Sequence, residues 1–342
     1  MKTRIAITLV LFLTALNAVA ADVACLSTVD ARAVLASERE GPYFSLLHPR
    51  EMVAKTGQQP AAGTLKAQRE WVRATYAKSV RDCSDGEREA LESYVAHIES
   101  EAAQAYPGLF KIPWRFVKVT ASVEGGLPHT VGRAIVLSEP FFQSLEASAS
   151  PENMNLKLMN ILIHEQVHVL QRADMKPYKS IYRKEFGFRK AANITGFESW
   201  RASHQVVNPD GVDVSWVWPV PDSNRVIWPL IVLMGENNTP RMPDDFGMIG
   251  IELAEGENGF EVVAGESGEP RYRSLREESD YMAKFRGISS LYHPNEIAAN
   301  YIADMVVWDC LLDKSEGPQQ KVAAIEAYYR QVRPWVEQLL GN

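Results

Sequence analysis

The feature that most constrains this chain is an apolar segment that carries three ionisable side chains. From residue 154 to 170 apolar residues recur at helical spacing, and neither glycine nor proline interrupts the run before Pro177. Within it lies the sequence HEQVH, in which His164, Glu165 and His168 have leucine, isoleucine and valine as neighbours. Polar groups on a buried helix are costly unless a partner compensates them. The fold must therefore bring a partner to this helix.

A metal ion is the partner that this spacing favours. Residues four apart lie on one helix face, so His164 and His168 can bind the same ion. Glu165 is rotated by about 100° from His164, where it can take a proton from a water molecule that a zinc ion has activated. The alternative is two ordinary histidines, because HExxH has only three fixed positions. The apolar flanks argue against that alternative, and we expect Zn²⁺.

A catalytic zinc needs a third protein ligand and an open position. One candidate is Asp174, but Gln171 stands where the short-spaced motifs have a glycine that turns the chain back. The other is Glu296, in the first turn of a predicted helix whose opposite face is apolar. The alternative for Glu296 is a surface residue at the start of a helix, where the helix dipole favours a carboxylate.

HEQVH at 164–168, followed by Asn295-Glu296-Ile297-Ala298, resembles the gluzincin branch of the zincin metallopeptidases, of which thermolysin is the best known. The resemblance covers two short motifs and an upstream strand. It implies that His164, His168 and Glu296 bind zinc, that Glu165 is the general base, and that the active-site helix lies behind a small sheet.

The chain departs from the gluzincin pattern in two ways. The family often has an aspartate four residues after the ligand glutamate, bonded to a zinc histidine, whereas this chain has Asn300 there and Asp304 one turn later. The 127 residues between His168 and Glu296 also exceed the usual spacing.

The resemblance further implies a substrate-binding strand and an oxyanion stabiliser. Residues 132–137 fit the strand that, in zincins, lies at the sheet edge and pairs with an extended peptide, although an internal strand is an equal alternative. Tyr292, His293 and His204 are available to stabilise the oxyanion. We expect catalytic roles for Tyr292 and His293, with helix capping as the alternative for His293. The remaining histidines are interpreted as structural: His48, His97 and His129.

The first twenty residues predict an export signal. Lys2 and Arg4 precede an apolar run from 5 to 19, and Ala18-Val19-Ala20 suits signal peptidase. We expect a secreted or periplasmic protein with no stable membrane insertion after cleavage, an uncleaved anchor being the alternative. A lipoprotein site at Cys25 is rejected because Asp22 stands where an aliphatic residue is required.

Export predicts an oxidising environment, in which cysteines tend to pair. The chain has three cysteines and no CxxC motif. We predict a Cys25–Cys83 disulfide, since both residues lie in the N-terminal region, and a buried free thiol at Cys310.

The remaining pattern predicts an α+β protein with a mostly helical region at 21–110 and a zincin-like catalytic domain at 111–342, interrupted by a β-rich insertion at 206–270. Helices are predicted after the caps Thr64, Ser84 and Ser138, and over about 179–204, 272–286, 294–312 and 318–340. Residues 21–110 fit a propeptide, an N-terminal support for the catalytic domain or a partner-binding module, and the predicted Cys25–Cys83 disulfide favours a retained domain.

These features predict a zinc metallopeptidase that acts on a peptide or protein substrate. Nucleic acid is an unsuitable partner, since the formal net charge is −7 and there is no basic stripe. Two alternatives remain: a zinc hydrolase of non-peptide substrates, and a non-catalytic binding protein derived from the zincins. The retained Glu165 disfavours the second, because a structural zinc needs no general base.

Overall fold

The computed structural model describes residues 21–39, 41–150, 152–235, 237–312, 314 and 319–341. The predicted signal peptide lies outside these ranges. The described chain mixes helices with two sheets, which confirms the α+β class. Within these ranges no helix combines the length and the apolar composition that a membrane crossing requires.

Helices and strands are numbered here in chain order. The helices are α1 (Thr28–Leu35), α2 (Tyr43–Leu46), α3 (Pro49–Thr56), α4 (Leu65–Ser79), α5 (Asp85–Ala102), α6 (Glu139–Ala147), α7 (Leu156–Ala173), α8 (Met175–Lys184), α9 (Glu198–His204), α10 (Ser279–Lys284), α11 (Pro294–Val306), α12 (Gln319–Tyr329) and α13 (Arg333–Leu340). The strands are β1 (Val23–Cys25), β2 (Val80–Arg81), β3 (Trp114–Val119), β4 (His129–Val131), β5 (Ala134–Ser138), β6 (Arg189–Lys190), β7 (Ile194–Thr195), β8 (Trp216–Pro219), β9 (Val226–Leu233), β10 (Phe246–Gly256), β11 (Gly259–Val262) and β12 (Tyr272–Ser274).

The first sheet has the strand order β1-β3-β5-β4. Strand β3 pairs in parallel with β1 and with β5, and β2 pairs with the end of β3. The side chains of β5 are buried throughout. Such a near-continuous apolar strand is typical of a parallel sheet that is covered on both faces.

The structure decides between the two alternatives for residues 132–137. Strand β5 lies between β3 and β4, so the internal alternative is confirmed and the edge-strand alternative is wrong. Gly132 is the reason, because its φ of 60° turns the chain between β4 and β5 into a tight hairpin. The edge strand on this side of the sheet is β4, which pairs antiparallel with β5.

The second sheet contains the predicted β-rich insertion. Its order is β6-β8-β9-β10-β11-β7, and β12 also pairs with β10. Strands β8 to β11 lie inside the predicted limits of 206–270, whereas β6, β7 and β12 come from residues predicted as helical. The buried side chains of this sheet form their own apolar cluster, which includes Trp228, Leu230 and Ile251.

Helices α7 and α11 pack against each other at the centre of the main apolar core. The predicted helix over 154–170 is confirmed as α7, with Asn155 as its N-cap. Small residues on α11 permit the close approach, since Ala298, Ala299 and Ala303 are fully buried. This contact brings the start of α11 to the middle of α7.

The N-terminal region shares its core and its sheet with the later chain. Strand β1 pairs with β3, and the predicted Cys25–Cys83 disulfide is confirmed. Helix α5 contributes buried side chains to the same apolar core as α7 and α11. At the start of the described chain, the backbone N–H of Ala21 donates a hydrogen bond to Glu99 Oε2 at 2.8 Å.

A buried ion cluster connects this region to the segment that follows α9. The Lys55 ammonium lies 3.1 Å from carboxylate oxygens of both Glu51 and Glu124, and all three side chains are buried. Burial alone would lower the pKa of Lys55, but the two carboxylates outweigh it and raise that pKa. Lys55 Nζ donates to the Val207 carbonyl, and the Val207 N–H donates to Glu51 Oε1 at 2.7 Å. Both backbone polar groups of Val207 are therefore fixed by α3.

Most predicted caps and helices are confirmed. Thr64 and Ser84 cap α4 and α5 through their side chains, and helices occupy 294–306, 319–329 and 333–340. Ser138 precedes α6, but its hydroxyl donates to the Gly126 carbonyl instead of capping the helix. The helices predicted over 179–204 and 272–286 are wrong in part, because each span also contains strands. Cys310 is a free thiol, half-buried instead of buried.

Candidate metal centre

Two histidines and a glutamate meet where α7 contacts the start of α11. His164 Nε2 and His168 Nε2 are 3.0 Å apart. Glu296 Oε2 lies 3.4 Å from His164 Nε2, and Glu296 Oε1 lies 3.4 Å from His168 Nε2. His168 and Glu296 are buried, and His164 is half-buried. The three residues predicted as zinc ligands therefore lie together.

These separations match the donor spacing of a tetrahedral zinc site. Zinc binds imidazole nitrogen and carboxylate oxygen at about 2.0–2.2 Å, so two donors at a tetrahedral angle lie about 3.3 Å apart. The observed separations are 3.0, 3.4 and 3.4 Å. Two imidazole lone pairs at such a distance repel each other unless a proton or a metal cation lies between them. The donor set thus fits a zinc ion that has three protein ligands and one open position.

Gln171 fixes the tautomer of His168. Its Nε2 donates to the Asn295 carbonyl at 3.0 Å, which leaves Oε1 as the acceptor facing His168 Nδ1 at 2.8 Å. His168 therefore carries a proton on Nδ1, and Nε2 is the ring nitrogen that faces the other two ligands. This arrangement is the usual second contact of a metal-binding histidine.

The charge of Glu296 dominates the electrostatics of the triad. Burial alone would raise the pKa of Glu296, but the two histidines outweigh it and hold that pKa well below its ordinary value. Burial would likewise lower the pKa of His168, and the Glu296 carboxylate instead raises it to about 10. A carboxylate so firmly ionised is a suitable anionic ligand for a cation.

Asn208 orients the Glu296 carboxylate through a hydrogen bond. Its amide Nδ2 donates to Glu296 Oε1 at 2.7 Å and to the Tyr292 hydroxyl at 2.8 Å. Asn208 follows Val207, the residue whose backbone the buried ion cluster fixes. The orientation of Glu296 thus depends on a chain of contacts that starts at α3.

Glu165 lies beside the triad with one oxygen unpaired. Its carboxyl is buried, and Oε2 has no hydrogen-bond partner among the described residues. Burial raises the pKa of Glu165 well above its ordinary value, and the nearby charges of Asp210 and Glu296 raise it further. A buried carboxyl without a partner is costly, and such groups are common at catalytic sites.

A cleft of about 370 Å³ opens onto the triad. His164, Glu165, Asn208, Tyr292 and Glu296 are among the residues that line it. Burial raises the pKa of Tyr292 well above its ordinary value, so its hydroxyl keeps its proton. The cleft therefore offers a proton acceptor, a hydroxyl donor and two of the three metal-binding side chains, His164 and Glu296, to one bound molecule.

His293 is engaged away from this cleft. Its Nδ1 accepts from the Asn295 N–H at 3.2 Å, and its Nε2 donates to the Asp213 carbonyl at 2.6 Å. The alternative predicted for His293, capping of a helix, is confirmed at the start of α11. His204 stacks on Trp200 with ring centroids 4.4 Å apart, and it is not among the residues that line the cleft.

The other candidate ligands and supports have different partners. Asp174 caps α8 through the Lys176 N–H. The Asn300 amide donates to the Glu296 carbonyl, and its oxygen accepts from Ser289. Asn300 therefore does not make the histidine contact that the family pattern suggested. Asp304 accepts from Asn160 at 2.9 Å.

The backbone of the edge strand is already occupied by side chains of the protein. The Thr130 N–H donates to Asp210 Oδ1 at 2.6 Å, and the Thr130 carbonyl accepts from Arg172 at 3.1 Å. The Asp210 carbonyl in turn accepts from Asn295 at 2.9 Å. A peptide that pairs with β4 at Thr130 must displace these contacts.

Three residues of the site were not identified from sequence. Asn208 and Asp210 belong to the sequence Asn-Pro-Asp-Gly, which indicates a turn and says nothing of what the turn contacts. In the sequence, Gln171 stands out only as the residue that replaces a glycine. A glutamine three residues after a metal-binding histidine, one turn along the same helix, is a signal that could have identified it.

Comparison of the chain with protein-family models, with curated proteins and with solved structures returns no match. The assignment of a function therefore depends on the residues of the site and on their geometry.

Proposed function

We propose that this chain is a gluzincin-like, zinc-dependent metallopeptidase with a zincin-like catalytic domain. The observation that carries the proposal is the convergence of His164, His168 and Glu296 at the donor spacing of a tetrahedral zinc site. The buried Glu165 beside them supports catalysis over a purely structural site, because one of its carboxylate oxygens is unpaired.

A zinc ion held by the triad would supply a Lewis acid and would lower the pKa of bound water to about 7. The residues of the chain account for the proton transfers. Glu165 accepts a proton from the attacking water and returns it to the amine nitrogen as the C–N bond breaks. The Tyr292 hydroxyl, oriented by Asn208, donates to the carbonyl oxygen as negative charge develops there.

The test combines metal content with activity for the protein purified without its signal peptide. We expect about one zinc per chain in the wild type and in Glu165→Gln, and loss of zinc in Glu296→Ala. Peptide hydrolysis should fall by about 10²-fold or more in Glu165→Gln. Glu152→Gln, a substitution of an exposed glutamate outside the cleft, is the matched control and should behave like the wild type.

Full activity in Glu165→Gln, or undiminished zinc in Glu296→Ala, would overturn the proposal. Retained zinc in Glu296→Ala would redirect attention to other carboxylates. Equal behaviour of wild type and Glu165→Gln in every functional assay would favour a binding protein.

A zinc hydrolase of non-peptide substrates is the second candidate. The occupied backbone of Thr130 favours it, since an extended peptide cannot pair there without displacing Asp210 and Arg172. A panel of peptides, esters and amides assayed with the zinc-loaded protein separates the two. Cleavage of esters with no cleavage of peptides would select the second candidate.

We also propose that the protein is secreted or periplasmic. The disulfide supports this location, because disulfides persist in oxidising compartments. Amino-terminal sequencing of the exported protein tests the predicted cleavage after Ala20.

A further inference from the structure

A second, larger cavity lies against the N-terminal helices. Its volume is about 780 Å³, within the range of about 300–1,000 Å³ that is usual for ligand pockets. Apolar side chains from separate elements line it, among them Leu35, Phe44, Val131 and Val212. We call this cavity the α1 pocket, because residues 33–35 of α1 form one of its walls.

The α1 pocket adjoins the cleft of the candidate metal centre. Glu124, His129 and Pro209 line both cavities. His129 is buried, and its Nδ1 lies 3.0 Å from the Leu127 carbonyl, which fixes the ring at this boundary. The α1 pocket and the metal-centre cleft therefore lie next to each other, with His129 and Glu124 at their common boundary.

The one buried carboxylate of the α1 pocket is already neutralised. Glu124 pairs with the Lys55 ammonium at 3.1 Å, and its Oε1 accepts from the hydroxyls of Tyr43 and Tyr76. Three other charged residues that line the pocket are also engaged: Glu38 accepts from the Ser45 N–H, Arg73 donates to the Ala36 carbonyl, and Arg172 donates to the Thr130 carbonyl. The remaining charged residue, Arg39, is exposed. The buried part of the pocket is therefore suited to an apolar group and not to a charged one.

We infer that the α1 pocket is the specificity subsite of the enzyme and that it receives a large apolar side chain of the peptide substrate, near the bond that is cleaved. The inference rests on the proposed peptidase function. It adds a substrate class, peptides with an aromatic or large aliphatic residue at one position. It also assigns residues 21–110 a direct part in substrate selection.

Substitutions of Ala33 test the inference without changing a buried residue of the apolar core. Its side chain is exposed on α1 and lines the pocket. Ala33→Trp should fill the pocket and Ala33→Glu should place a charge in it. Ala74, exposed on α4 and outside the pocket, provides the matched controls Ala74→Trp and Ala74→Glu. Thermal unfolding of all four variants verifies that each is folded.

The first measurement is kcat/KM for two peptides that differ only by phenylalanine or alanine at each position around the cleaved bond. We expect the wild type to prefer phenylalanine at one position by about tenfold or more. Both Ala33 variants should reduce this ratio to about twofold, and the Ala74 variants should keep it. An unchanged ratio in the folded Ala33 variants, or no preference in the wild type, would overturn the inference.

The second measurement does not require activity. The fluorescent apolar probe N-phenyl-1-naphthylamine should bind the wild type and both Ala74 variants, and should bind both Ala33 variants at least about fivefold more weakly. Equal binding to all five proteins would refute the apolar pocket. If the probe behaves as expected while no peptide is cleaved, the proposed peptidase function fails, and with it the assignment of the pocket to peptide side chains.

Discussion

His168 and Gln171 show how much of the site is decided by single residues. A histidine can present either nitrogen to a metal, and Gln171 selects Nε2 because its amide oxygen accepts a hydrogen bond from the Nδ1–H group. The Asn295 carbonyl orients that amide in turn. Asn295 immediately precedes Glu296, so one pair of hydrogen bonds connects two of the three candidate ligands.

His48 is the residue whose titration should be visible in the stability of the protein. It is buried at the start of α3, where its Nδ1 accepts from the Glu51 N–H and its Nε2 has no hydrogen-bond partner among the described residues. Burial, together with the positive charges of Arg50 and Lys55, lowers the pKa of His48 to about 3.

The direction of the pH dependence follows from this shift. Below pH 6.5 the unfolded chain protonates His48 while the folded chain does not, so stability falls as the pH falls from 6.5 to about 3. We expect His48 to contribute a loss of about 1.4 kcal/mol per pH unit, or about 2 kcal/mol between pH 6.5 and 5.

His48→Asn should remove this contribution while keeping a side chain that caps the helix. Urea unfolding of wild type and variant at pH 7 and pH 5 measures the difference. The control is His97→Asn, at a half-buried position of α5, which tests whether removal of another histidine gives the same effect. A wild-type slope retained in His48→Asn would contradict the assignment.

At the scale of elements, the contact between α3 and the segment after α9 depends on Lys55. Replacement by methionine leaves Glu51 and Glu124 buried without their counter-charge. We expect Lys55→Met to lower the free energy of unfolding by about 3–5 kcal/mol. Because Lys55 also fixes Val207, next to Asn208, we expect weaker zinc binding in the variant as well.

Chemical denaturation and competition with a chelator measure the two effects. Lys66→Met, at an exposed position of α4, is the matched control and should change stability by about 0.5 kcal/mol or less. A loss of under 1 kcal/mol in Lys55→Met would show that the carboxylates find other partners or become protonated at little cost.

The elements that carry the metal ligands were predictable because their signals are local. The apolar periodicity of α7, the spacing of its histidines and the Pro294 start of α11 are all encoded within a few turns. Capping boxes work in the same way, and Ser84 shows this for α5.

The sequence left the edge and internal positions of residues 132–137 as equal alternatives, because strand order depends on distant pairing. Residues 131–137 are apolar and β-branched enough to form one strand, and a single glycine at 132 decides that they form a hairpin. Strands β6 and β7 have two residues each and exist only through their partners β8 and β11. The positions of Asn208 and Asp210 likewise depend on contacts across the fold.

At the scale of the whole molecule, the disulfide fixes the first strand to the start of α5. It closes a loop of 58 residues that contains α1 to α4, the helices that line the α1 pocket and supply Lys55. Chain entropy predicts that a loop of this length contributes about 4 kcal/mol, and measured values are commonly about 2–4 kcal/mol.

The double variant Cys25→Ala/Cys83→Ala should therefore unfold at lower urea concentration, with a loss of about 2–4 kcal/mol. Cys310→Ala, which removes the half-buried free thiol, is the control and should cost about 1 kcal/mol or less. Wild-type stability in the double variant, with the free thiols verified by alkylation, would contradict the prediction.

The contact between Ala21 and Glu99 changes from a neutral hydrogen bond into an ion pair if signal peptidase cuts after Ala20. The nitrogen of Ala21 then changes from a peptide amide into the α-ammonium group of a new chain end, 2.8 Å from a carboxylate oxygen. A charge-assisted hydrogen bond is roughly twice as strong as a neutral one. Export would thus complete an ion pair that the precursor lacks, and a cut displaced by one residue would leave Glu99 without it.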